Sequence, residues 1–319
     1  MYITKKRLIT HNGSFHADDL FAAATLALYM DSKGYEYEII RTRDMEVIKN
    51  ADYVFDVGGV YDPEKNRFDH HQIDAPEKRK NGIPYAAFGL VWKHFGMELC
   101  NNNIDAWNII ENEIVCPIDA NDNGVDVVSL KFKNVKPYMG SRVFTIFEPS
   151  WTEKENHVDQ IFKEQVEKIK LVLKREIKVA HDDASGIVIV KKAYEEAKDK
   201  RIIILEQSLP RYLYQQVLSS YSEPLYLVMP SEHSDTYKVE VISKSPESMQ
   251  SRLPFPESWR GVLDKNFNLE NHSSQIKGVL FVHNTGFLAN IKNKEDAILF
   301  AEKALSYKKP FSFAKFFKI

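Results

Sequence analysis

A chain of 319 residues is long for one hydrophobic core and comfortable for two, so two domains are expected. Its hydrophobic share of 44% and charged share of 28% are those of an ordinary soluble globular protein. The balance of 43 Lys+Arg against 45 Asp+Glu excludes a globally basic nucleic-acid coat, while leaving room for a local basic cleft.

In chain order, Arg7 to Thr10 reads as a short strand that stops at His11-Asn12-Gly13. Asp18 to Asp31 reads as a helix with Leu20, Ala23, Ala24, Ala27 and Leu28 on one face. Its apolar run, Leu20 to Met30, is too short to span a bilayer. Strands at Glu36 to Arg41 and Tyr53 to Val57 flank a helical stretch at Met45 to Asn50. This βαβ rhythm predicts parallel strands whose carboxyl ends collect ligands. Ala86 to Phe95 and Ile104 to Asp119 follow as helices, and a charged helix covers Glu153 to Lys178. Beyond it, strands are predicted at Ile187 to Val190, Ile202 to Glu206, Leu225 to Met229, Tyr237 to Ile242 and Val279 to His283, with helices at Arg211 to Ser220 and Lys294 to Ser306. Cys100 and Cys116 form no CxxC or zinc-like spacing, and nothing at the N-terminus reads as a signal peptide. A cytoplasmic protein without a membrane partner is expected.

Four polar clusters stand at predicted strand or helix ends. His11, His16 and Asp18 lie within eight residues where a strand gives way to a helix, and Ser14 or Asp18 could equally cap that helix. Imidazole nitrogen with carboxylate oxygen suits manganese, zinc or iron better than calcium. Asp56 closes an apolar strand and two glycines follow almost at once. Asp69-His70-His71 puts three metal-capable side chains in a row, and adjacent residues of an extended segment cannot all point one way. His70 is therefore assigned to a metal, His71 to a substrate phosphate and Asp69 to orienting them. In Asp119-Ala120-Asn121-Asp122, Asp119 is the expected ligand and Asp122 the reserve. Together His11, His16, Asp18, Asp56, His70 and Asp119 suffice for two divalent ions sharing a carboxylate. Such a pair would lower the pKa of an attacking water and clamp phosphoryl oxygens.

The stretches His11 to Asp19, Asp56-Val57-Gly58-Gly59 and Asp69-His70-His71-Gln72 resemble the DHH phosphoesterase superfamily. More narrowly, they are similar to the melanocyte proliferating gene 1 (Myg-type) exonuclease family. Arg41-Thr42-Arg43-Asp44, Pro149-x-Trp151, the Gln250 to Gly261 segment and Phe281-Val282-His283 extend the similarity over most of the chain. Asp19 stands where that family commonly has Glu, and Asn284-Thr285 varies its His-containing loop.

The resemblance implies an α/β fold in which a DHH-type N-terminal domain (1–152) has a largely parallel sheet and flanking helices. A helical linker (153–184) and a smaller mixed α/β C-terminal domain (185–319) follow. It also implies two divalent ions, Mn2+ with Mg2+ as a substitute, and 3′→5′ exonuclease action on single-stranded RNA or oligonucleotides. His71, Asp69 and Asp19 are the expected catalytic side chains. Arg252, Arg260, His283, Asn284 and Gly286 are the expected substrate contacts, since an arginine fork can hold a phosphate at two points. Trp259 is expected in the core before it is expected on a base. The basic-aromatic tail from Tyr307 to Ile319 is expected to dock on its own domain or on a neighbouring subunit, which would allow a homo-oligomer. Two other functions stay open: a small-molecule phosphatase or pyrophosphatase on the same metals, and a non-catalytic nucleotide or nucleic-acid binding protein.

Overall fold

The computed structural model describes residues 5–72, 78–153, 157–232, 234–263 and 278–307, so the tail beyond Tyr307 lies outside the described residues. The chain forms two compact units, Met1–Asp182 and Asp183–Ile319, both α/β.

The first unit opens with β1 (Lys6–Thr10), α1 (Ala17–Lys33), β2 (Tyr37–Arg41), α2 (Met45–Lys49) and β3 (Tyr53–Phe55). Two short strands follow, β4 (Tyr61–Asp62) and β5 (Arg67–Phe68), then α3 (Ala87–Leu99) and α4 (Ile104–Ile110). A π-helical turn, Glu111–Val115, joins α4 to α5 (Cys116–Asp122), and a short α6 (Arg142–Thr145) stands further on. The sheet order is β2-β1-β3-β5-β4, parallel except at β4. β1, β3 and β5 are thus neighbours running the same way, with Leu8 beside Tyr53 and Phe55 beside Phe68. Period-two alternation splits their side chains between two faces. Leu8, Tyr53, Phe55 and Phe68 pack under α1 and α3, whereas Ile9 and Val54 pack with Ile48 of α2. Ala22, Ala23, Ala24 and Ala27 of α1 are fully buried, and such small residues let α1 and α3 approach closely.

α7 (Val158–Glu196) starts in the first unit and ends in the second. Phe162, Val166, Ile169, Leu173 and Ala180 join the first core, while Val190 joins the second. The strand predicted at Ile187 to Val190 is therefore helix. Its β-branched residues favour a strand intrinsically, but packing on Ile203, Leu205 and Tyr214 overrides that preference.

The second unit continues with β6 (Ile202–Ile204), α8 (Arg211–Leu218), β7 (Tyr226–Pro230), β8 (Tyr237–Val241), β9 (Val262–Leu263), β10 (Val279–Val282), β11 (Leu288–Ile291) and α9 (Lys294–Ser306). Its sheet order is β6-β7-β8-β11-β10-β9, with only β6 and β7 parallel. Tyr226 and Val228 face α9, while Leu227 and Met229 face α8 and the end of α7. Trp259 is 1% exposed, 5.0 Å from the Phe300 ring and 5.6 Å from Tyr307. It is a core residue. Trp259→Ala should therefore cost about 3–5 kcal/mol of stability, read by urea denaturation of the whole chain; an unshifted midpoint would place it outside the core.

Candidate metal centre

Three neighbouring parallel strands deliver their next residues to one edge of the first sheet. β1 runs into His11, β3 into Asp56, and β5 into Asp69-His70-His71. Asp56 adopts φ +55°, a left-handed conformation uncommon for any residue but glycine. That turn ends β3 two residues before the predicted Val57. α1 adds a second source of ligands, because its first turn carries Asp18 and Asp19, where carboxylates are favoured by the helix dipole. Asp19 Oδ1 accepts from the His16 backbone N–H at 3.0 Å and so closes the helix start.

The side chains converge. His11 Nε2 stands 3.1 Å from Asp56 Oδ2 and 3.2 Å from Asp19 Oδ2. His70 Nε2 stands 3.2 Å from Asp56 Oδ1, 3.4 Å from Asp122 Oδ2 and 3.9 Å from Asp18 Oδ2. His16, Asp18 and Asp122 place one donor atom each within 4.8 Å of one another, and so do His11, Asp19 and Asp56. Asp56 thus presents one oxygen to His11 and the other to His70, which is the geometry of a bridging carboxylate.

Electrostatics explain why this set needs a cation. Asp18 is fully buried, and among the described residues neither of its carboxylate oxygens has a hydrogen-bond partner. Burial, then the charges of Asp56 and Asp122, push its pKa well above the usual carboxylate range. Burial would also raise Asp56, but hydrogen bonds from His11 and His70 outweigh it and hold Asp56 at about 2. Burial would lower His11, and the bonds to Asp19 and Asp56 instead hold it up at about 10. An isolated charge in such a place costs several kcal/mol unless it is paired or coordinates a metal. A divalent ion fits both the orphaned oxygens and the mixed imidazole–carboxylate donors.

Five of the six expected ligands, His11, His16, Asp18, Asp56 and His70, come together here. Asp119 does not join them. Its Oδ2 is 2.7 Å from Arg79 Nη2 and its Oδ1 accepts the Gly89 N–H at 3.0 Å, so both oxygens are engaged. Asp122, one helical turn on, faces His70 in its place. Asp19, expected as a catalytic side chain, stands against His11 and Asp56 and could hold an ion with them. Asp69 and His71 pair as expected, with Oδ1 2.7 Å from His71 Nδ1, and Asp69 Oδ2 also accepts the Gly59 N–H at 2.6 Å.

The residues expected to contact substrate in the second unit have the following surroundings. Arg252 donates from Nη1 to the Pro224 carbonyl at 3.0 Å and from Nη2 to that of Ser219 at 2.6 Å, so its fork binds backbone rather than presenting a free phosphate clamp. Arg260 Nε donates to the Phe255 carbonyl at 2.8 Å. Gly286, at φ +73°, is a packing requirement, since a Cβ there would lie 2.5 Å from Arg260 Nε. His283 Nδ1 lies 2.9 Å from Thr285 Oγ1, and Asn284 is exposed beside it.

Sequence reasoning missed a buried support. Arg79 bridges Asp119 and Glu111, at 2.5 Å from the latter, and its guanidinium lies 4.0 Å from the Tyr85 ring centroid. Within Lys78-Arg79-Lys80 it looks like one member of a solvated basic run. Gly89 leaves room for this cluster, because a Cβ there would sit 1.8 Å from Asp119 Oδ2. Arg41 is the second support: it donates to the Gly13 carbonyl at 2.6 Å and pairs with Asp159 at 2.8 Å, fixing the His11 to Asp19 loop. Its signal was visible, an arginine closing the strand beside β1.

Residues 7–305 match the model of the MYG1 exonuclease family, described as "Uncharacterised protein family (UPF0160)". The chain belongs to that family. Human MYG1 exonuclease is 28% identical over 94% of this chain and 86% of its own length. MYG1 protein C694.04c of Schizosaccharomyces pombe is 30% identical over 94% of this chain and 98% of its own. The crystal structure of exonuclease RecJ bound to manganese covers 96% of this chain and 91% of its own at 12% identity and a TM-score of 0.26, too low to bear on fold or chemistry. Among the described residues of this MYG1 family member, no helix is long and apolar enough to cross a membrane.

Asp18→Asn separates a metal ligand from a structural residue. A carboxylate raised in the fold destabilises the metal-free protein above its unfolded value of about 3.9, and the loss grows as pH rises toward the folded pKa. In chelator, Asp18→Asn should therefore melt above the wild type at neutral pH, and the gap should close in acid. With Mn2+ at roughly 100 times its Kd the wild type should gain about 2.7 kcal/mol and the variant much less, reversing the order. The same order of melting with and without metal would remove Asp18 from the ligand set.

Proposed function

We propose that this protein is a metal-dependent phosphodiesterase that shortens RNA or short oligonucleotides from the 3′ end, with water as the nucleophile. The carrying observation is the fully buried, unpartnered Asp18 carboxylate among His11, Asp19, Asp56, His70 and Asp122 at the ends of three parallel strands. The exonuclease naming of the human relative favours a nuclease over a small-molecule phosphatase.

Three donor groups overlap here, His11–Asp19–Asp56, His16–Asp18–Asp122 and Asp56–His70–His71, and we assign His71 of the last to substrate rather than to a cation. His11 and Asp19 would hold one cation with Asp56; His16, Asp18, Asp122 and His70 would hold a second, with Asp56 offering an oxygen to each. Divalent ions held there, Mn2+ or Mg2+, would supply a Lewis acid for the attacking water and for the charge on a phosphoryl group. The protein's own contribution is position. Asp69 fixes the His71 ring through a 2.7 Å hydrogen bond, which also raises the His71 pKa against the opposing effect of partial burial. The His71 side chain is 62% exposed, which leaves its ring open to a phosphate oxygen of the substrate. Arg79 holds Asp119 and Gly89 together at the α5 end that presents Asp122, and Arg41 keeps the His11–Asp19 loop in place.

End-labelled RNA and DNA oligomers incubated with Mn2+, Mg2+ or EDTA test this directly. A ladder shortening from the 3′ end with metal and an intact strand in EDTA are expected. His70→Ala and Asp56→Ala should each lower turnover by about 10³-fold or more, the equivalent of several kcal/mol of transition-state stabilisation. Hydrolysis of pyrophosphate with the oligomers left whole would overturn the nuclease assignment.

A further inference from the structure

The segment between α5 and α7 packs Phe144 against Phe21 of the first core, yet it also presents a surface that neither core explains. Phe132, Tyr138 and Trp151 are 64%, 70% and 96% exposed, although large aromatics are usually mostly covered. Lys131, Lys133, Lys136 and Arg142 alternate with them along the chain, against only two acids between residues 125 and 151, Asp126 and Glu148. Glu148 is already engaged, accepting the Phe15 N–H at 3.3 Å. Among the described residues no ion pair neutralises any of the four cations. Lys131 Nζ lies 5.9 Å from the centroid of the neighbouring Phe132 ring.

Both ends of this segment are tied to the metal centre. It leaves α5 immediately after Asp122, where the Val125 N–H donates to the Ala120 carbonyl at 2.8 Å. It returns at Glu148, whose partner Phe15 sits between His11 and His16. Between the two ends lies a cavity of about 820 Å³, lined by Asn121, Val128, Leu130, Lys136 and Met139 among others. Exposed rings interleaved with unpaired cations match single-stranded nucleic acid, in which every base offers a face to stack and every linkage a charge. A protein-binding face would instead be depleted in lysine at its centre.

We propose that residues 125–151 form a single-strand binding track beside the metal centre: Phe132, Tyr138 and Trp151 stack bases, while Lys131, Lys133, Lys136 and Arg142 meet phosphates. That the track delivers its strand for cleavage rests on the nuclease reading above; the binding itself does not.

Anisotropy of fluorescein-labelled single-stranded oligoadenylate and oligouridylate of about 12 nucleotides, in EDTA so that no cleavage intervenes, tests the proposal on the full chain. The wild type should bind both, and replacing Phe132, Tyr138 and Trp151 together by Ala should weaken binding by at least about 10-fold. Lys131→Gln, Lys133→Gln and Lys136→Gln combined should flatten the slope of log affinity against log salt by about 2. Unchanged melting curves would show that these exposed changes leave the fold alone; if the triple variant does not fold, Trp151→Ala alone carries the same comparison. No binding by the wild type overturns the track, as does equal binding by the variants. Variants that lose self-association in sedimentation but keep their oligonucleotide affinity would also overturn it, marking a subunit interface instead. A strand that is held by these residues yet stays uncut with Mn2+ sinks the nuclease reading and leaves the track standing.

Discussion

Like charges buried side by side are what the rest of the first unit has to accommodate. Asp18, Asp19 and Asp56 are buried together with Asp122 partly exposed beside them, and among the described residues Asp18 has no hydrogen-bonded proton donor. Two imidazoles, His11 and His70, offset part of that charge through Asp56. They cannot offset all of it, because neither comes within hydrogen-bonding reach of Asp18. A fold that spends its strand ends on such an arrangement sacrifices stability without a cation, and the surrounding architecture makes sense as the frame that holds the carboxylates in place against their mutual repulsion.

That frame is built in layers. Parallel strands give three consecutive sheet neighbours the same direction, so their next residues fall on one edge. α1 and α3 clamp the sheet from one side through alanine-rich contacts, which fixes where the first turn of α1 puts Asp18 and Asp19. Farther out, Arg79 ties Asp119, Glu111 and the Gly89 backbone into a buried cluster, and the π-helical turn at Glu111–Val115 lies next to it. Extra residues in a helical turn of this kind commonly occur near functional sites. The Arg79 cluster orients α5, and α5 in turn presents Asp122.

Much of this was legible in the amino-acid sequence, for identifiable reasons. His11 and Asp56 follow predicted apolar strands and so stood out as strand-end residues, whereas the two-residue β5 was too short to predict and His70 stood out only through the run Asp69-His70-His71. The aspartate of α5 was harder. Asp119 and Asp122 are three apart and both near the site, and only the presence of Arg79, forty residues earlier, decides which one is left free. Pairings of that range leave no periodic trace. The helical continuation through Ile187–Val190 was hidden for the opposite reason, since four β-branched residues in a row look like a strand until the partners from β6 and α8 are known. In the second unit, Arg252, Arg260 and Gly286 were recognisable as special, but the backbone carbonyls that hold the two arginines and the close approach of Arg260 to Gly286 could not be read from the sequence.

The donors of the metal centre come from segments scattered from His11 to Asp122: His11, Asp19 and Asp56 meet once β1 and β3 have paired, whereas His70 waits for β5 and Asp122 for α5. Contacts so distant along the chain form late, because loop closure has to be completed first. Nascent chains would therefore have to bring these elements together before they could hold a pair of ions, and completing the centre would then depend on metal supply as well as on the polypeptide. Under metal scarcity the population that accumulates would be folded, empty and held at its lowest stability, the form most exposed to proteolysis.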